Sequence, residues 1–563
     1  MAIDELAAPG KFSQRDHWRL LPILVIAALL RLWQINESLW LDELHSAWVV
    51  SDGVGQIAER AQMGNQSPLY FYLPWATTSL FGMSEWALRL PSLVAGVGLV
   101  LLAYWLAYEF TRSRIAAITC ATLAATDHNF LFYATEARPY AYVQLFAAVQ
   151  LLLIWRLQSC ASAGRHAGFV IASAVLFYLH YTAILLLAGE IAFVLVRACC
   201  RRGSRLASQY AARTLAVDLL CIAVLIVPTI ASLFDIGSRR GTWASFVNET
   251  SLMLSVHWFS LVSYVVVPLI VCLLVGVIKV AITLRRDEPF TLDSVLRTTS
   301  DSDPNTAPLD ASRRSVTTTL LLLFWLGVPL AIVWLLTVKK IAPLYLGRYV
   351  IGAALAPVLF AGLGIGVWRT KRSQILVACI VIAYAVFHSG MVEQFRFDGR
   401  LIRDRAENWR AAVRYVNANE WAPNSPVFVR SGLLEADRLA TDESNLLREY
   451  CVLPVTSIYR IDRPAGEIRP LTTRTAGQLT NAGVKRIQET KEAWFIINGD
   501  SATVGRCRDR VVTSIASASH VGVVLESRQF GNVGVFLLAL GIIDGHDEPA
   551  IVQPTSPNSI APP

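Results

Sequence analysis

Charge is scarce in this sequence. Only 16% of its 563 residues are Asp, Glu, Lys or Arg, and 54% are hydrophobic; soluble domains carry roughly 25% charged residues. That shortage excludes an ordinary soluble chain. Metal-type spacing is missing too: the nine cysteines form no CxxC pairs, and seven of them lie in or beside apolar runs, where a free thiol behaves as a small hydrophobe. No phosphate-binding Gly-rich loop or dinucleotide fingerprint occurs, and no internal repeat is visible. The first 19 residues are polar and the next run lacks a small-residue cleavage site, so no cleavable signal peptide is expected and the first apolar run reads as an anchor.

What is present is a series of apolar runs near 20 residues, long enough to cross a bilayer as helices. Eleven spans are expected, at 19–36, 90–110, 115–132, 139–156, 168–183, 184–198, 214–234, 258–280, 317–338, 349–368 and 374–391. The fifth and sixth are separated by a tight turn near His180. The net charge of +8 does not point to nucleic acid, because the basic residues sit mostly in short loops between the runs. With the N-terminus inside, the inner segments hold 21 Lys and Arg residues and the outer loops 8. This bias sets the N-terminus inside, and an odd number of spans then places everything after 392 outside. The segment Ser67–Gly82 is too short for a span; its aromatics suit an interfacial helix on the outer leaflet.

The expected organisation is a transmembrane part over 1–391 with a first outer loop at 37–89, a soluble α/β domain at 392–543 and a disordered tail at 544–563. The inner loop 284–315 is rich in Ser, Thr and Asp and is expected to be flexible. Ala406–Glu420 has an amphipathic helical period. "SPVFVR", "AWFIING" and "VGVFLLAL" read as short buried strands. Cys451 and Cys507 both fall in the soluble domain, and a disulfide between them is left open.

Under this topology the unusual polar residues collect on one face. Asp42 and Glu43 follow the first span in "LWLDELHSAW". Glu136, Arg138 and Tyr140 lie in "ATEARPYAY", His180 and Tyr181 in "YLHYTA", and Tyr345, Arg348 and Tyr349 in "PLYLGRYV". Each has a plainer reading: an outer-loop acid is most often only solvated, and an Arg at a helix end can snorkel to headgroups, as Arg31 could near the outer end of the first span. Together they suit a reaction at headgroup depth. The planar fork of Arg binds phosphate oxygens bidentately. A sugar esterified to a lipid phosphate has a good leaving group and needs charge stabilisation there, while the acceptor hydroxyl needs a general base. One acid and one or two arginines are a sufficient set. The second acid could orient the acceptor or hold a divalent cation such as Mg or Mn, with Asp42, Glu43 or Glu136 as the ligands available.

At these residues the sequence resembles the GT-C superfamily of integral-membrane glycosyltransferases, nearest the bacterial lipopolysaccharide galacturonosyltransferases and more distantly the aminoarabinose transferase and the protein O-mannosyltransferases. "RLWQINESLWLDELHSAW" is similar to the first-span exit and first outer loop of that superfamily. "SPLYFYLPWATTSLFGMSEWALRLPSLVAG" resembles its juxtamembrane helix and second span, and "EARPYA" and "GRYV" its later outer motifs. The likeness covers roughly residues 20–370. It implies an inverting transfer from a polyprenyl-phosphate sugar donor to an envelope acceptor, at the outer face of a bacterial inner membrane. Asp42 maps to the catalytic acid with Glu43 beside it. Arg348 maps to the phosphate-binding arginine, with Arg138, Tyr345 and Tyr349 also on the donor side. Glu136, His180, Tyr181 and Tyr70 are the cavity-lining candidates. One departure stands out: family members often carry His-Pro-Pro where this chain has Gln66-Ser67-Pro68. The rival readings are a transporter or lipid-linked-sugar flippase, which usually shows internal repeats and broken helices, and a non-catalytic envelope scaffold.

Overall fold

The computed structural model describes residues 14–200, 212–238, 247, 250–285, 307–368, 370–419, 425–442, 444–464, 467–472, 479–516 and 521–541. Most of the loop expected at 284–315, and the whole tail at 544–563, lie outside the described residues. The chain divides into two compact units. One comprises Met1–Ile35, Asn65–Thr77 and Trp86–Arg403; the other comprises Asn36–Gly64, Thr78–Glu85 and Asp404–Pro563.

The first unit is helical. Among the described residues six helices are long and apolar enough to cross a membrane: Glu85–Thr111, Tyr140–Leu157, Tyr181–Cys199, Arg213–Ser238, Arg314–Val338 and Lys371–His388. Shorter apolar helices run over Arg114–Thr126, Ala163–Leu179, Val262–Ile278 and Ile351–Gly366, and Gln14–Leu32 is helical as well. Six of the eleven runs read as spans coincide with these long apolar helices and the other five fall on shorter or interrupted helix; the protein is an integral membrane protein. The segment read as an interfacial helix is helical: a 3-10 turn over Pro68–Phe71 leads into the helix Tyr72–Phe81.

Polar side chains close the ends of these helices. Ser113 caps Arg114–Thr126 by accepting from Ala116 N at 3.2 Å, as an N-cap serine does. Asp127 ends that helix and starts the next: its Oδ1 accepts from Phe130 N at 3.0 Å and its Oδ2 from the Tyr264 hydroxyl at 2.6 Å. Arg31 does not snorkel. It is fully buried and donates to Ala27 O, Ala125 O and Ala124 O at 3.0, 3.3 and 3.3 Å. The last two are carbonyls in the final turn of Arg114–Thr126, which have no partner within their own helix. A glycine permits this approach, since a Cβ on Gly96 would lie 2.8 Å from Arg31 Nε and 2.4 Å from Ala134 Cβ.

The second unit is built on a five-stranded sheet. The strands are β1 (Val427–Arg430), β2 (Ile468–Pro470), β3 (Glu492–Asn498), β4 (Val521–Phe530) and β5 (Val533–Gly541), in the order β2-β1-β3-β5-β4. β1 is parallel to β2 and β3, whereas β5 is antiparallel to β3 and β4. The three stretches read as strands are β1, β3 and β5. Register places Phe428, Phe495 and Phe536 side by side. Their rings stack at 5.0 and 4.7 Å, a cross-strand aromatic ladder of the kind that stabilises sheets. The helix Trp409–Ala418 buries Trp409, Ala412, Val413 and Val416, the i, i+3, i+4, i+7 stripe its sequence announces. The helix Ser501–Ala516 buries Val504, Cys507, Val511 and Ile515 in the core. Cys507 is thus one apolar position among four. It and Cys451 are both free, buried thiols; burial pushes them up to about 11 and about 12 respectively, so they are poor nucleophiles.

The first outer loop was expected with the transmembrane part. Its residues 36–64 and 78–85 group instead with the unit that carries the sheet. The reason is a set of polar contacts over a sequence distance no local pattern reveals. Tyr459 accepts from Leu39 N at 2.9 Å and donates to Glu85 Oε1 at 3.0 Å. Arg410 donates to Asn36 O at 2.6 Å and pairs with Glu85 at 3.4 Å.

Candidate active site

The two neighbouring acids have different surroundings. Both sit in the first turn of the helix Leu41–Val50, where the positive end of the helix dipole favours carboxylates. Glu43 is fully buried and lies 3.8 Å from Arg405 Nε. The Arg405 side chain, only 2% exposed, also pairs with Glu37 at 3.5 Å. Asp42 is partly exposed. One acid is therefore absorbed into a buried ion cluster and its neighbour keeps an open side.

Further groups fix this helix. The Glu407 carboxylate accepts from Leu41 N at 2.9 Å and from Trp409 Nε1 at 2.7 Å. Burial, with Asp42 adding to it, raises Glu407 to about 7 against these bonds. At the other end Arg60 donates to Trp48 O at 2.6 Å and lies over the Trp48 ring at 4.5 Å. Sequence reading missed Glu407 and Arg405. Nothing local marks them, because Glu407 is 366 residues from the amide it caps.

The other candidates belong to the helical unit. Arg138 is 6% exposed and Glu136 is buried beside it in sequence, just before the helix Tyr140–Leu157. With the Gln66 amide assigned so that its oxygen faces the guanidinium, both Nη atoms of Arg138 donate to that oxygen, at 2.9 and 2.5 Å. The position where the sequence departs from His-Pro-Pro is therefore the partner of a candidate phosphate ligand. Tyr70 is buried and supports the same loop: its hydroxyl donates to Ser92 Oγ at 3.1 Å, and Ser92 Oγ donates to Arg138 O at 3.1 Å.

Arg348 and Tyr349 lie in a 3-10 turn, Gly347–Tyr349, with the guanidinium 5.6 Å from the Tyr349 ring centre. They line a recess with His180, Thr182, Val143, Leu186 and Pro329. His180 stands at the break between two helices in extended backbone, φ −159° and ψ 116°, which is the tight turn expected there. Its ring lies 5.6 Å from Tyr349 and 5.9 Å from Tyr140. Tyr181 packs its ring on Phe177 at 5.2 Å and is not among the recess residues. Tyr345 is 1% exposed, with its hydroxyl donating to Ser251 O at 3.1 Å and its ring on Trp258 at 4.8 Å; its place is in the packing rather than in the recess. Among the described residues no group of three or more His, Cys, Asp and Glu side chains is arranged to hold a metal ion.

Residues 65–228 match the family model described as dolichyl-phosphate-mannose-protein mannosyltransferase. The matched segment runs from Gln66 through Arg138 to His180. No curated protein matches this chain. Solved structures that align with it include ArnT from Cupriavidus metallidurans bound to undecaprenyl phosphate, at 13% identity over 92% of this chain and 98% of that one, with a TM-score of 0.48. Another is the arabinofuranosyltransferase AftD from Mycobacteria, at 15% identity over 95% and 40%, with a TM-score of 0.47. A third is the oligosaccharyltransferase AglB from Archaeoglobus fulgidus with an inhibitory peptide and a dolichol-phosphate, at 13% identity over 92% and 74%, with a TM-score of 0.42.

Proposed function

We propose that this protein is a glycosyltransferase that moves a sugar from a polyprenyl-phosphate donor to an acceptor hydroxyl at the outer face of the membrane, with inversion. Its eleven spans would set the N-terminus inside and the sheet domain outside, in a bacterial inner membrane. The observation that carries this reading is the split between the two acids. Glu43 is fully buried and pairs with Arg405, while Asp42 is partly exposed on the first turn of its helix. The match of residues 65–228 adds the family's chemistry as support.

In the proposed step the acceptor oxygen attacks the anomeric carbon and its proton passes to Asp42. The bond between that carbon and the phosphate oxygen breaks, and polyprenyl phosphate leaves with the electron pair. Arg348 and Arg138 take the phosphate oxygens and neutralise the charge that develops there. No step is assigned to a cation.

The test is transfer by the purified protein in lipid nanodiscs. Labelled polyprenyl-phosphate sugars are offered with an envelope extract as acceptor, comparing wild type with Asp42→Asn. Label leaving the polyprenyl fraction with the wild type alone supports the reading. Undiminished transfer by Asp42→Asn removes Asp42 as the base. Transbilayer movement of the donor without transfer turns the reading to a flippase.

A further inference from the structure

The recess beside Arg348 contains a hydrogen-bonding pattern whose two bonds form together in only one tautomer. Thr182 Oγ1 lies 2.8 Å from Tyr349 O and 2.8 Å from His180 Nδ1. A carbonyl only accepts, so the single hydroxyl proton goes to Tyr349 O. The same hydroxyl must then accept from His180, which places a proton on Nδ1. A neutral imidazole so arranged carries a lone pair on Nε2. The Arg348 guanidinium lines the same recess, so a protonated ring would set two positive charges side by side. Among the described residues no group bonds Nε2, and the nearby recess walls Val143, Leu186 and Pro329 are apolar.

A hydrogen-bond acceptor beside a guanidinium divides the work between two parts of one ligand. A phosphodiester at neutral pH has only acceptor oxygens, which suit Arg348 and are repelled by an imidazole lone pair. A hydroxyl on the group esterified to that phosphate has the proton that Nε2 lacks. A cationic amine would be repelled by Arg348. We propose that His180, held as the Nδ1–H tautomer by Thr182, reads a hydroxyl of the donor's sugar. This rests on the proposed role of Arg348 as a phosphate ligand.

Binding to the full-length protein in nanodiscs tests it, with two kinds of lipid compared: undecaprenyl phosphate alone, and a panel of hexosyl and pentosyl undecaprenyl phosphates with their deoxy analogues. His180→Asn keeps an amide near Nδ1 and has nothing at the Nε2 position. It should weaken the sugar-bearing lipid about tenfold, the size of one lost hydrogen bond, and leave undecaprenyl phosphate unchanged. His180→Gln, whose longer side chain reaches that position, should recover part of the loss. Thr182→Val should act like His180→Asn, and Thr182→Ser like wild type. One deoxy donor should bind wild type and His180→Asn equally, identifying the hydroxyl that is read. Equal loss for both lipids, or no loss for either, overturns the assignment. Because binding is read without turnover, absence of transfer with every donor would count against the glycosyltransferase reading alone, while transfer with unchanged discrimination would count against His180 alone.

Discussion

Glu407 caps the helix that carries Asp42. One carboxylate oxygen accepts from Leu41 N and from the Trp409 indole, so the strand-and-helix core of the second unit and the start of the acid-bearing helix share one acceptor. Replacing it by Leu leaves a backbone amide and an indole N–H without that partner. A loss of about 1–3 kcal/mol for each group left buried should appear as a lower midpoint in thermal unfolding, and transfer should fall with it. Glu407→Gln retains an acceptor and should lose less.

The same residue gives a pH dependence. Its carboxyl is raised from 4.5 to about 7 in the folded protein, so between those values the folded state holds a proton that the unfolded state has released. Stability contributed by this group is full below about 4.5 and falls as pH rises toward 7. Unfolding midpoints measured across that window should decline for wild type and decline less for Glu407→Gln.

Glu43 and Asp42 should separate fold from chemistry. Glu43→Gln removes one of the two carboxylates paired with a guanidinium whose side chain is 2% exposed, Glu37 being the other. It should therefore destabilise by less than the cost of breaking an isolated buried pair, about 3–5 kcal/mol. Changing Arg405→Gln in the same chain should recover part of that loss. Asp42→Asn should leave the unfolding midpoint near wild type and abolish transfer. Thermal unfolding and transfer measured side by side on the wild type and these three variants decide the matter.

Gly531 sits where the β4–β5 hairpin meets the segment that carries Glu407. Its φ is +60°, and a Cβ would lie 2.3 Å from Ala406 O. Glu407 forms an isolated bridge with Gly531. Gly531→Ala should therefore destabilise the protein by at least about 1 kcal/mol, from the left-handed backbone alone, and by more from the clash. It should also lower transfer by displacing Glu407. Unfolding and activity should fall together.

Gln66 holds both Nη atoms of Arg138 through one oxygen. Gln66→Leu frees the guanidinium from that acceptor and removes its orientation. Undecaprenyl phosphate should bind several-fold more weakly to this variant, and Gln66→Glu should bind it more weakly still by offering Arg138 a competing anion. Equilibrium binding in nanodiscs reads both.

The sequence by itself determined the elements. Apolar runs near 20 residues became helices because their length and composition leave no cheaper state in a bilayer. The period-3.6 stripe at Trp409–Val416 and the short apolar runs of β1, β3 and β5 became the elements their patterns describe. His180 fell at a helix break, and Gln66 was visible as a departure from a familiar motif. Tertiary structure alone decided what the polar residues do. Asp42 and Glu43 are adjacent and chemically alike, yet Arg405 absorbs one of them. Arg31 caps a neighbouring helix instead of reaching for headgroups, and Thr182 sets the tautomer of His180. These outcomes depend on partners that the folded chain brings together across up to several hundred residues. Hydrophobic periodicity is written locally, whereas the pairing of buried charges and carbonyls is settled by packing.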